Sequence, residues 1–381
     1  MNPKDYCKPS GFFIADRGMM EEKFMALALE MAEKGRGGTS PNPMVGAVLV
    51  KRDRIIAKGY HRRAGLPHAE VNALKMAGKE AEGGTLYVNL EPCCHFGKTP
   101  PCTDTIVKSK VKKIIIGMRD PNPLVAGKGV KILKKAGIEV AEGVLEKECK
   151  RLNEKYIKFI TSKRPFVTLK VGESLDGKIA TVKGDTRWIT GIKSREFVHR
   201  LRDESDAIMV GINTVMKDDP ALTTRIKGKK GKNPKRIIID SSLRIPLKAK
   251  VLNKDDTDIF IATTGDASEK KIKRLQKKGI QILATKKKQG RVDLDRLMQE
   301  LGKLNITSLL IEGGGEINAS AINEGIVDKV MFFISPIIIG GKEAPSSVSG
   351  KGFPSLKEAL TLRDMEVKRL DKDILIQGYL H

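Results

Sequence analysis

Aromatic side chains are scarce in this 381-residue chain, at 4% with a single tryptophan. Its cores must be built mainly from Val, Ile, Leu, Ala and Met. No apolar run approaches the ~20 residues needed to span a bilayer, so an integral membrane protein is excluded. Cysteine is sparse and odd in number, at Cys7, Cys93, Cys94, Cys102 and Cys149, which is no disulfide framework. Acidic residues are outnumbered 46 to 71, a net charge of +25. That excess is spread evenly, +12 over residues 1–163 and +13 over the rest, as Lys-rich solvated faces rather than a basic tail. The stretch Gly11 to Ala15 is too short for a secretory signal, so a cytoplasmic protein is expected.

Residues 1–19 carry Pro3, Pro9 and Gly11 without periodicity and read as a loose N-terminal extension. The first helix is expected from about Glu21, with Phe24, Leu27, Ala28 and Met31 at helical spacing and Gly35 as its stop. A hairpin follows over Val45–Val50 and Ile55–Tyr60, then a helix over His68–Ala81 and a strand over Thr85–Leu90. A helix over Cys102–Ser109, a strand over Lys113–Gly117 and a helix over Val130–Ala136 complete this part. Breaker residues at Thr161–Pro165 suggest a boundary, giving domains at 20–163 and 164–381. Beyond it a second series of strands and helices begins at Phe166–Val171 and runs to a strand at Lys329–Ile334. Alternation of this kind implies α/β architecture with parallel crossovers in both halves.

Three of the five cysteines fall within ten residues, beside a histidine motif. His68-Ala69-Glu70 opens one helix, and Pro92-Cys93 through Pro101-Cys102 links a strand to the next helix. One imidazole and two thiolates supply three zinc ligands and leave the fourth tetrahedral position open, the mark of a catalytic site. Glu70, two residues after the histidine, suits a proton shuttle better than a ligand, as in the His-x-Glu…Pro-Cys signature of zinc deaminases. A structural zinc would require a fourth protein ligand. Cys94, adjacent to Cys93, is discounted, and His95 reads as a pocket residue.

Thr39–Gly46, His68–Glu70 and the Pro92–Cys102 string together resemble the deaminase half of the bifunctional riboflavin biosynthesis family. The eight residues between Cys93 and Cys102 carry weight, because nucleoside and tRNA deaminases have two. The resemblance implies a cytidine-deaminase-like three-layer α/β/α domain, one zinc per chain, and hydrolytic deamination of a diamino-pyrimidinone ribosyl phosphate. It also implies that Asn42 contacts the base, while the residue taken alone reads equally as a turn former.

The C-terminal half holds Leu169–Ala180, Trp188-Ile-Thr190, Gly211–Thr214, Lys217–Arg225, Ile239-Asp-Ser241 and Glu312–Ser320. The last is a Gly-rich loop between a strand and a helix, where backbone N–H groups can hold phosphate. Asn318 replaces the final glycine of a dinucleotide fingerprint, which disfavours a first-strand Rossmann site. Together the strings resemble the reductase half of the same family, which implies a dihydrofolate-reductase-like fold and NADPH-dependent reduction of the ribosyl group to a ribityl chain. By position, Gly172, Trp188, Thr214, Asp218 and Ser241 fall where that family contacts NADP. So does the run of Gly314, Gly315, Glu316, Ile317, Asn318, Ala319 and Ser320. Thr186, Arg202, Leu222, Arg225 and Glu312 fall where it contacts substrate. Arg202 and Arg225 suit bidentate phosphate binding. Lys170 and Glu312 read either as groups that polarise the sugar or as a surface ion pair. A nucleic-acid deaminase would want the short cysteine spacing and aromatics interleaved with a basic stripe. The expected partners are therefore phosphorylated pyrimidines, with no nucleic acid and no membrane, and a homo-oligomer is compatible with the sequence.

Overall fold

The computed structural model describes residues 11–380 apart from 98, 187, 229, 254–256 and 266, with backbone alone for 11–17. The chain divides into two compact units, residues 1–161 and 162–381. Residues 1–10 lie outside the described part, but helix α1 already starts at Gly11 and runs to Glu33. That is ten residues before the expected start. Gly11-Phe-Phe-Ile-Ala reads as loose only because two glycines and a mixed-charge stretch hide its helical register.

The first unit continues with β1 (Gly46–Lys51), β2 (Arg54–Tyr60), α2 (Ala69–Ala77), β3 (Thr85–Leu90) and α3 (Cys102–Lys108). It then adds β4 (Lys113–Met118), α4 (Lys128–Lys135), β5 (Glu139–Glu142), α5 (Glu146–Leu152) and α6 (Glu154–Ser162), whose last residue crosses the division. Among the described residues the strands form one sheet in the order β2-β1-β3-β4-β5. The β1 strand is antiparallel to both neighbours, while β3, β4 and β5 are parallel. Every residue of β4 is buried, as expected of a parallel strand covered on both faces. Two glycines set how closely helices lie on this sheet. A Cβ at Gly46 would stand 2.0 Å from Ala28 O of α1, and one at Gly59 would stand 2.3 Å from Ala69 O of α2. The hairpin therefore receives a helix backbone on each side, and α2 carries the motif histidine at its N-terminus.

The second unit is built on β6 (Phe166–Ser174), α7 (Ile192–Asp203), β7 (Ala207–Gly211), α8 (Ile212–Asp218) and β8 (Lys235–Ile239). These are followed by β9 (Ile259–Thr264), α9 (Glu269–Lys277), β10 (Gln281–Thr285), a small ribbon of β11 (Lys287–Lys288) and β12 (Arg291–Val292), and α10 (Leu294–Lys303). Next are β13 (Ser308–Ile311), α11 (Gly315–Asn323), β14 (Lys329–Ser335), β15 (Arg363–Leu370) and β16 (Asp373–Tyr379). Among the described residues the main sheet has the order β10-β9-β8-β7-β13-β6-β14-β16-β15. It is parallel from β10 to β14 and antiparallel over the last two strands. Central β6 lies between β13 and β14, which come late in the chain. Apolar residues of α10 and α11 pack on one face, including Leu297, Leu301, Ile317 and Ala321. Phe197, Val198 and Leu201 of α7 pack against Met331, Phe333 and Leu375. Edge strand β15 is largely exposed and carries Arg363, Asp364, Glu366, Lys368 and Arg369, charges that discourage pairing with another chain.

Candidate active sites

In the first unit three elements bring ligand-type atoms together. His68 immediately precedes α2, Cys93 follows β3, and Cys102 is the first residue of α3. Their ligand atoms all lie within 4.8 Å of one another. His68 Nδ1 is 3.2 Å from Cys102 Sγ and 3.5 Å from Cys93 Sγ, and the Cys102 N–H donates to Cys93 Sγ. The hydrogen bond from Cys102, and then that from His68, pulls the Cys93 thiol down to about 4. The same pairing and burial push the Cys102 thiol up, so one proton stays with the pair until a cation displaces it. Glu70 is 3% exposed, and its Oε2 finds no hydrogen-bond partner among the described residues. Burial pushes this carboxyl up. Soft donors from three elements, with a buried acid beside them that keeps one oxygen unpartnered, fit zinc with its fourth position free.

Asn42 stands in the turn after a cis Ser40–Pro41 bond. Its amide is 3.1 Å from Nε2 of His61, a residue the sequence reading did not single out. His61 Nδ1 faces the Pro67 carbonyl at 3.2 Å, so it must carry the proton, and Nε2 must accept. Asn42 therefore turns its NH2 to His61 and keeps Oδ1 for another donor. His61 is 2% exposed, and its ring meets His68 edge-on at 5.0 Å. No sequence signal links positions 42, 61 and 68. Thr99, also unforeseen, places Oγ1 3.4 Å from His68 Nε2. Cys94 stays outside the ligand cluster, and burial pushes the Cys149 thiol up to about 12. Cys7 lies outside the described residues.

In the second unit a charged triad sits where the C-terminal end of β13 lies beside the middle of β6. Glu312 accepts two hydrogen bonds from Arg202, at 2.7 and 2.9 Å, and lies 3.6 Å from Lys170 Nζ. Burial alone would raise the Glu312 carboxyl, but Arg202 and then Lys170 overcome it and hold it at about 2. The Glu312 side chain is 7% exposed and that of Lys170 19%, so this is no surface ion pair. Arg202 also donates to Thr223 O, so its fork is already occupied rather than open to a phosphate. Arg225 is tied through its backbone N–H to His199 Nδ1. Burial, with Arg202 and Arg225 nearby, pulls His199 down to about 4, which keeps that acceptor neutral. Leu222 has φ +52° and its side chain is in the apolar core, so any ligand contact there falls to backbone. Thr186 is half-buried in the β6–α7 connection.

A Cβ at Gly172 would reach Thr190 and Lys170 at 3.5–3.8 Å, so the glycine leaves room directly beside the lysine. The Gly-rich loop divides by function. A Cβ at Gly313 or Gly315 would meet Ile317 or Ser349 at 1.8–2.2 Å, whereas one at Gly314 meets only Thr214 Oγ1, at 3.7 Å. Space in front of the first turn of α11 is thus open at Gly314 and Thr214, a cradle that a dinucleotide phosphate fits. Within α11, Asn318 is buried with Nδ2 donating to Ser347 O, and Ile317 and Ala319 are also buried. Glu316 and Ser320 face Arg291. Asp218 closes α8, and Ser241 Oγ accepts from the Val292 N–H. Trp188 is 70% exposed, with the Arg195 guanidinium 4.1 Å above its ring.

Residues 19–118 match the model of the cytidine and deoxycytidylate deaminase zinc-binding region, and residues 165–376 match the RibD C-terminal domain. The fold and the two sites define a two-domain enzyme, a zinc-dependent deaminase joined to an NADPH-dependent reductase. Riboflavin biosynthesis protein RibD from Aquifex aeolicus is 45% identical over 94% of this chain and 98% of its own length. The Escherichia coli protein of that name is 37% identical over 94% and 99%. Among solved structures, Acinetobacter baumannii RibD superposes with a TM-score of 0.86 at 37% identity, covering 96% of this chain and 99% of that one. The Thermotoga maritima diaminohydroxyphosphoribosylaminopyrimidine deaminase/5-amino-6-(5-phosphoribosylamino)uracil reductase gives 0.83 at 38%, covering 96% and 100%. The chain belongs to the riboflavin biosynthesis RibD family.

Proposed function

We propose that the first unit deaminates 2,5-diamino-6-(5-phosphoribosylamino)pyrimidin-4(3H)-one, and that the second reduces the product to 5-amino-6-(5-phosphoribitylamino)uracil. The observation that carries this reading is the buried Glu70 carboxyl, whose Oε2 has no partner, beside the cluster of His68, Cys93 and Cys102. His68, Cys93 and Cys102 would hold the zinc, which would lower the pKa of a water towards ~7 and so supply a nucleophile at neutral pH. Glu70 carries one proton of the attacking water to the ring nitrogen, and then the proton of the added hydroxyl to the amine as its C–N bond breaks. Water is consumed and ammonia leaves. Asn42 Oδ1, turned outward by His61, accepts from an N–H of the base.

NADPH, when bound in the second unit, would supply the hydride that reduces the sugar C1. Lys170, kept protonated beside Glu312, holds a proton for the sugar oxygen freed as the ring opens. Arg202, fixed by the same carboxylate, braces the segment that ends in Arg225, which takes the substrate phosphate. Gly314 and Thr214 border the cofactor phosphates, and Gly172 admits the cofactor beside Lys170. The deaminase is assigned to 20–163 and the reductase to 164–381, in a cytoplasmic protein that acts on phosphorylated pyrimidines rather than nucleic acid. Among the described residues no helix is long and apolar enough to cross a membrane. The test is product analysis on the diamino substrate. Without NADPH one ammonia and the deaminated ribosyl product should form; with NADPH the ribityl product should follow. NADPH consumption without ammonia release would refute the assigned order.

A further inference from the structure

One ring nitrogen of the histidine in the metal cluster has no role so far. His68 turns Nδ1 to the two cysteines, at 3.2 Å from Cys102 Sγ and 3.5 Å from Cys93 Sγ. An imidazole that gives one nitrogen to an ion carries its proton on the other, and an acceptor for that N–H is what fixes the ring's orientation. Among the described residues Nε2 has one neighbour within hydrogen-bond reach, the Thr99 hydroxyl oxygen at 3.4 Å. The edge-on ring of His61 offers no such acceptor, because its own nitrogens are engaged by Asn42 and the Pro67 carbonyl.

The chain around Thr99 is built to hold that oxygen in place. Gly97 N–H donates to the Thr99 carbonyl at 3.3 Å and closes a short turn. Pro100 and Pro101 follow, each fixing its own φ, and Pro100 disfavours helical backbone at Thr99. Beyond them the Cys102 N–H donates to Cys93 Sγ and the Thr103 N–H to the Cys93 carbonyl, so the loop closes on the residue it started from. A hydroxyl oxygen has two lone pairs and accepts from an N–H while keeping its own proton. A link of two residues between the cysteines contains no position three before the second, where Thr99 stands; the eight residues present here supply it. We infer that Thr99 is a positioning residue of the zinc centre. Its hydroxyl takes the Nε2–H of His68 and keeps Nδ1 aimed at the ion, and the long cysteine loop serves to deliver it. The inference rests on the deaminase reading of the first unit.

Competition for zinc between the full chain and a chromophoric chelator of known affinity tests it, in wild type, Thr99→Val, Thr99→Ala and Thr99→Ser. Thr99→Val keeps the shape of the side chain and removes the acceptor, and Thr99→Ala removes it with no chance of overpacking. Both should raise the zinc Kd about 10–100-fold, whereas Thr99→Ser, which keeps the hydroxyl, should match wild type. Cobalt(II) loaded in place of zinc should give the same visible bands in wild type and Thr99→Ser, and altered bands in Thr99→Val. Unchanged far-ultraviolet circular dichroism establishes that the variants are folded. An unchanged zinc Kd in Thr99→Val or Thr99→Ala would overturn the inference, as would wild-type cobalt bands in Thr99→Val. A loss in Thr99→Ser equal to that in Thr99→Val would overturn it by assigning the effect to packing of the methyl group. A wild type that holds no zinc would overturn the deaminase reading, and the role of Thr99 with it.

Discussion

Replacing Gly59 with alanine should damage the deaminase from a position that touches neither metal ligand nor substrate. The added Cβ would stand 2.3 Å from Ala69 O and 2.5 Å from Ala73 N, both on the backbone of α2. Ordinary contact between such atoms begins near 3.4 Å, so helix and strand must part by about 1 Å. No side chain can rotate away to absorb this. Overpacking of this kind costs about 1–3 kcal/mol, and a clash with backbone alone belongs at the upper end. For a unit of this size, that lowers the melting temperature by about 6–12 °C. His68 and Glu70 ride on the first turn of α2, so the displacement also moves one ligand away from Cys93 and Cys102. Zinc content measured after dialysis against a weak chelator should fall below one per chain, and deamination should fall with it. NADPH binding, which belongs to the other unit, should be unaffected. Full zinc retention with a melting temperature within a degree of wild type would refute the close-approach argument.

Cys102→Ala should lose stoichiometric zinc together with deamination, whereas Glu70→Gln should keep zinc by metal analysis and lose about 10²–10⁴-fold in deamination rate. If Glu70→Gln also loses zinc, Glu70 is a ligand and the shuttle role fails. Gly314→Val should fold normally, since only Thr214 Oγ1 lies near the new side chain, but weaken NADPH more than about tenfold by filling the cradle. An unchanged Kd would remove the loop from the cofactor site. Glu312 sits at about 2 against an ordinary 4.5, so the unfolded chain binds its proton first as pH falls. The stability it contributes is complete above pH 4.5 and is lost as pH falls from 4.5 to 2. Glu312→Gln strands buried Arg202, so it should cost about 3–5 kcal/mol at pH 7 in denaturant titration. It should also show a shallower further loss in that acid window, and an equally steep one would contradict the depressed carboxyl.

The strand Thr85–Leu90 is legible in the sequence to the residue, because an apolar run bounded by Gly84 and Pro92 admits few other readings. Helix α8 and strands β10, β15 and β16 are not: α8 is only seven residues long, and β15 shows solvent nearly every side chain. The metal triad could be read from spacing, because zinc chemistry limits which residue types and gaps will serve. The occupied fork of Arg202 could not, since its partner Glu312 lies 110 residues away and nothing local to either announces the pairing. His61 escaped for the same reason. A histidine whose work is to fix a tautomer and turn a neighbouring amide leaves no pattern in one dimension.

The place of β6 at the centre of the second sheet has a consequence during synthesis. Its two neighbours, β13 and β14, are made only after about 130 further residues have been added, which takes a ribosome roughly 7–27 s. Through that interval Phe166–Ser174 is a finished apolar strand with both edges bare. The sheet of the first unit, whose last strand ends at Glu142, has every pairing partner available before β6 is made. The nascent chain thus carries an assembled deaminase sheet ahead of a reductase strand that waits for its partners. That waiting strand is where a chaperone would be needed, and where slowed translation of residues 175–307 would favour aggregation.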